Sequence, residues 1–141
     1  LGCDLIKRRK IKMSQWTHVT GVIRYDGIVG MTPKPDLGKT VSWEDDENLW
    51  DECDVPCGSE GSLQTTLWEN PNPSAMARWT ATIFGDLRDY SDVFEVLEYF
   101  MRITKGHMIR SGVFTVQVEY GEERTYRYGE NGWIMDWRKS K

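Results

Sequence analysis

Apolar and polar residues alternate over residues 16–25 (WTHVTGVIRY), 62–68 (SLQTTLW), 77–84 (ARWTATIF) and 113–120 (VFTVQVEY). That period of two, rich in β-branched and aromatic residues, predicts four strands with one face buried. A different period governs the stretch after residue 92. Val93, Val96, Leu97, Phe100 and Ile103 recur at i, i+3, i+4 and i+7 behind an Asp92/Glu95 capping pair, which predicts an amphipathic helix. Lys105-Gly106 ends it. Asn70-Pro71-Asn72-Pro73 turns the second strand into the third. Gly121-Glu122-Glu123 leads into a strand over 124–128, and Asn131-Gly132 into another over 133–137. Residues 26–61 lack strand periodicity; within them Ser42 followed by Asp45 predicts a short capped helix reaching Trp50.

The predicted order is β, short α, β, β, α, β and two further strands. This is the split βαβ order of ferredoxin-like domains. An α+β fold is therefore expected: an antiparallel, ferredoxin-like sheet with one main covering helix and extra C-terminal strands. Alternation also assigns the faces. Val19, Gly21, Ile23, Tyr25, Leu63, Leu67, Trp79, Ala81, Ile83, Phe114, Val116 and Val118 should lie under the helix. His18, Thr20, Arg24, Gln64, Thr66, Trp68, Arg78, Thr80, Thr82, Phe84, Thr115, Gln117 and Glu119 should line the opposite face.

Composition changes the picture mainly through its ends. The 141 residues carry 18 Lys+Arg and 22 Asp+Glu, a net charge of −4, with seven Trp and three Cys. An odd cysteine count makes no disulfide framework, and no apolar run suggests a membrane span or signal peptide, so a reducing cytoplasm is the expected compartment. Lys7, Arg8, Arg9, Lys10 and Lys12 crowd the first twelve residues. Arg8-Arg9-Lys10 can be encoded by a purine-rich ribosome-binding sequence upstream of a Met13 start. Residues 1–12 are accordingly expected to be a non-native or disordered leader, and 13–141 one α+β domain. That body carries 13 Lys+Arg against 21 Asp+Glu, or −8. Such a charge disfavours duplex DNA and generic RNA, which reward cationic surfaces.

Candidate chemistry is sparse. Among residues 16–25, His18-Val19-Thr20 fits a two-histidine phosphodiesterase element, but His107-Met108-Ile109 lacks the second hydroxyl residue. Cys53 and Cys57 lack the second ligand pair of a structural zinc site. Asp86, Asp89 and Asp92 read as helix-start acids more readily than as a metal loop. Gly58-Ser59-Glu60-Gly61 reads as a tight turn more readily than as an anion nest. Residues 36–60 hold nine acids and one base, Lys39, with Trp43 and Trp50 expected to pin this loop by burying their rings. No metal, cofactor or catalytic residue is expected.

The segments at 55–64 (VPCGSEGSLQ) and 84–90 (FGDLRDY) resemble small uncharacterised bacteriophage proteins. The resemblance implies a phage accessory protein that binds a host component, either a defence protein or its nucleotide signal. The expected function is thus non-enzymatic binding by a homo-oligomer, a homodimer formed through its sheet or its Trp-rich C-terminal strands. On the open face Arg24 and Arg78 would pair with phosphate, Trp68 would stack, and Gln64, Thr66 and Thr80 would supply hydrogen bonds. An acidic inhibitor acting on a host protein through residues 36–60 and a phosphodiesterase are the alternatives.

Overall fold

A computed structural model describes residues 14–136; the leader expected at 1–12 and Trp137, the expected end of the last strand, lie outside them. Strand β1 (Trp16–Ile28) is followed by the short helix α1 (Glu47–Asp51) and a two-residue hairpin, β2 (Cys57–Gly58) with β3 (Gly61–Ser62). Then come β4 (Gln64–Glu69), β5 (Met76–Arg88), helix α2 (Val93–Thr104), β6 (Met108–Val118), β7 (Glu123–Gly129) and β8 (Gly132–Met135). The six long strands form one antiparallel sheet in the order β4-β5-β1-β6-β7-β8. The architecture is α+β. Strand β1 sits between β5 and β6, so α2 crosses over it, and residues 29–63 make the other crossover, from β1 to β4.

The strands run further than alternation predicts. β1 and β5 pair continuously from Trp16↔Arg88 to Ile28↔Met76, because each supplies the other's backbone hydrogen bonds past the predicted ends at Tyr25, Ala77 and Phe84. β6 starts at Met108, and a register shift opposite Arg24 and Tyr25 absorbs the extra residue. The short helix begins later than expected. Asp46 caps it by accepting from the Leu49 amide, while Asp45 accepts from the backbone N–H of Ser42. Helix α2 begins as expected, with the Asp92 carboxylate accepting from the Glu95 amide at 3.0 Å.

The face assignment holds strand by strand. Val19, Ile23, Tyr25, Trp79, Ala81, Ile83, Phe114 and Val116 are buried with Val93, Val96, Phe100 and Ile103 of α2. The crossover completes the cover, since Leu37, Val55 and Leu63 belong to the same core and the Tyr99 hydroxyl donates to the Leu37 carbonyl at 2.7 Å. Trp43 departs from expectation. It is 69% exposed, because residues 42–43 are held at the surface by the Ser42–Gly61 bridge, and only Trp50 tucks partly in, donating to the Asp45 carbonyl. No helix of the described residues is long and apolar enough to cross a membrane.

Candidate functional site

One face of the sheet carries no covering helix, and the polar residues of β1, β4, β5 and β6 point onto it. Register sets their neighbours. Trp68, Thr80 and Arg24 stand directly opposite one another on β4, β5 and β1, and Ser111 of β6 extends the row. Arg78 lies one residue pair along, diagonal to Arg24, at the spacing of about 7–8 Å that long side chains bridge. Trp68 is 55% exposed.

The neighbouring carboxylate does not neutralise these guanidinium groups. Asp26, opposite Arg78, is engaged by Arg110 at 2.8 Å. Among the described residues neither Arg24 nor Arg78 has an ion-pair partner within 4 Å. The other two expected ligand contacts are less available. Thr66 shares its hydroxyl with Thr82 across the strand pair, and Gln64 donates to the Ser62 carbonyl at 3.2 Å. Gln64 also stands four residues from Trp68 along β4, about 13 Å away. The structure therefore brings Arg24, Arg78, Trp68 and Thr80 together and sets Gln64 apart, with Thr66 between.

At the other end of the same face His18 sits between two carboxylates. Its Nδ1 lies 2.6 Å from Asp86 Oδ1 and its Nε2 2.8 Å from Glu119 Oε2. These bonds, that to Asp86 first, raise the His18 pKa above the ordinary 6.5. Its contribution to stability is present below the unfolded value near 6.5 and is lost as pH rises through the higher folded value. Because the side chain is about a third exposed, screening keeps that contribution small. The His18 ring should titrate above 6.5 by NMR, and an Asp86→Asn/Glu119→Gln protein should return it towards 6.5. An unchanged midpoint in that double variant would contradict the assignment.

The remaining candidates resolve into structural roles. His107 packs edge-on against Tyr25, a buried residue seven positions beyond His18 on the covered side of β1. The two imidazoles thus occupy opposite faces and do not form a paired acid–base site. Asp92 caps α2, but Asp86 serves His18 and Asp89 accepts from the Ser59 hydroxyl, so the three acids do not act as one helix-start cluster. Gly58 to Gly61 form the β2–β3 hairpin. Within it the Ser59 amide donates to the Arg88 carbonyl, and next to it the Ser62 amide donates to the Val41 carbonyl. Cys53 and Cys57 are free thiols, both half-buried, and burial pushes Cys57 up to about 11. Among the described residues no cluster of His, Cys, Asp or Glu is arranged to hold a metal ion.

Alternation alone could not find Ser111, because β6 was expected to begin at Val113. Nor could it find the His18–Asp86–Glu119 contacts, whose members are 68 and 101 residues apart. Comparison of the chain with protein-family models, with curated proteins and with solved structures finds no match.

Proposed function

We propose that the protein is a non-enzymatic binding protein that holds a small anionic ligand with a flat ring, such as a nucleotide, on the open face of its sheet. The observation that supports this most is the row Trp68–Thr80–Arg24 with Arg78 diagonal to it, two guanidinium groups without acidic partners beside an exposed indole. Guanidinium groups bind phosphate oxygens in pairs of hydrogen bonds, and an indole face stacks on a base. A net charge of −8 over residues 13–141 disfavours a long polyanion and leaves a small one as the better occupant. In this reading β4, β5, β1 and β6 are the four strands of a ferredoxin-like unit whose first crossover is mostly irregular. The protein acts in a bacterial cytoplasm as a phage-type accessory protein, sequestering a nucleotide signal of host defence.

Titration calorimetry with linear and cyclic nucleotides tests the reading. At least one should bind, and Arg24→Ala and Arg78→Ala should each weaken it by about 10- to 100-fold, the value of a charge-assisted hydrogen bond. Trp68→Ala should weaken it too. The reading fails if no nucleotide binds, or if one binds equally well without both arginines.

A second reading rests on a different observation. Trp43 and Leu49 are exposed within the acidic segment at 36–60, as an anchor for a basic site on a host protein would be. Capture of one host protein by the wild-type chain but not by Trp43→Ala would favour it.

A further inference from the structure

Helix α2 is the only long helix among the described residues. It packs over β1 and β6 through Phe100, which stacks on Phe114, and Trp133 of β8 meets Phe100 edge-on and donates its indole N–H to the Phe100 carbonyl and the Thr104 hydroxyl, both at 3.2 Å. Between α2 and the β7–β8 hairpin a groove of about 620 Å³ remains, floored by Tyr128 and Trp133 and walled by Leu97 and Met101. The outward side of the helix is apolar for a solvent-facing surface. Phe94 is 64% and Met101 52% exposed, and Leu97 between them is only partly buried. Phe94, Leu97 and Met101 follow i, i+3, i+7, one stripe along the helix.

The charges beside this stripe select its occupant. Glu98 and Lys105 border the groove, two turns apart, about 10 Å along the axis. Neither has an ionic partner among the described residues. Their midpoint falls between Met101 and Arg102. A second α2 laid antiparallel about that point places Glu98 against the partner's Lys105, and Lys105 against the partner's Glu98. A parallel arrangement would set like charges together. Arg102 also borders the groove next to that midpoint, but its guanidinium is engaged elsewhere, donating to the Asp54 carbonyl and lying over the Tyr99 ring. Two-fold symmetry requires a surface to complement itself, and the Glu98 and Lys105 pair does so in charge around Met101.

We propose that this face is an isologous homodimer interface, two copies of α2 packed antiparallel about Met101 and each entering the other's groove. The arrangement lies on the covered side of the sheet, so both open faces point outward and remain free. It does not depend on what the open face binds.

Sedimentation velocity on the full chain tests it with charge reversals at exposed positions. The wild type should dimerise at tens of micromolar. Glu98→Lys and Lys105→Glu should each weaken the dimer by about tenfold or more, since each turns two attractions into two repulsions. The double variant Glu98→Lys/Lys105→Glu should recover wild-type dimerisation, because the complementarity is restored with the signs exchanged. A wild type that stays monomeric at about 100 μM overturns the proposal. So do single variants that dimerise like wild type, or a double variant no tighter than the singles.

Discussion

Phe100→Ala should lower the free energy of unfolding by about 3–5 kcal/mol, the range for removing a buried aromatic ring. Phe100 is fully buried, with its ring stacked on Phe114 at 3.8 Å between centroids and met edge-on by Tyr99 and Trp133. Below it is Gly21 of β1, where a Cβ would come within 2.8 Å of the ring. The ring therefore fills the space that the glycine leaves, and truncation opens a cavity which the stacked Phe114 and the backbone of β1 cannot collapse into. Against a total stability of about 5–15 kcal/mol for a domain of ordinary size, the loss is a large fraction. Phe94→Ala, on the exposed side of the same helix, should cost no more than about 1 kcal/mol in the monomer, the value of the Arg124 guanidinium 5.6 Å from its ring centroid. Urea denaturation of both variants at matched protein concentration checks the pair. Equal losses would mean that α2 is packed on the sheet differently from the arrangement described.

The Phe100–Gly21 pairing also marks how far the sequence could be read. Period and capping placed Phe100 on the buried side of α2, and alternation placed Gly21 on the covered side of β1. Each is a local property, carried by the residues within a turn or a few strand positions. What joins them is strand order and register, which no local pattern carries. The candidate site shows the same division. Arg24, Trp68, Arg78 and Thr80 were assignable to one face by parity, but their grouping into adjacent rows depends on β5 lying between β4 and β1. Gln64 shares that parity and still falls outside the group, because parity fixes the face and says nothing of position along it. Trp43 failed for a related reason. A tryptophan in a loop usually buries its ring, yet where a loop segment ends up is set by what it pairs with, here Gly61.

Gly58→Ala should destabilise the protein by about 1–3 kcal/mol, the usual cost of forcing extra volume into a packed site. Two glycines flanking Ser59-Glu60 suggest a turn that needs left-handed backbone, and for Gly61, at a φ of +130°, this is so. Gly58 is required for another reason. A Cβ there would lie 2.6 Å from both the amide nitrogen and the carbonyl oxygen of Arg88. Those atoms belong to the end of β5, which is paired with β1, so they cannot rotate away as a side chain would. Relief must come from the hairpin lifting off the strand, which breaks the 3.0 Å bond from the Ser59 amide to the Arg88 carbonyl. The same movement loosens the Arg88–Glu60 ion pair and the crossover whose Val55 and Leu63 complete the core. Hydrogen exchange at the Ser59 amide should therefore accelerate along with the loss of global stability. Gly121→Ala is the control: its Cβ would meet Val118 at an ordinary 3.4 Å and needs no positive φ, so it should be near neutral. If Gly58→Ala matched Gly121→Ala in stability and left the Ser59 amide protected, β2 could not be seated against Arg88. The crossover would then have to be held to the sheet by its apolar side chains alone.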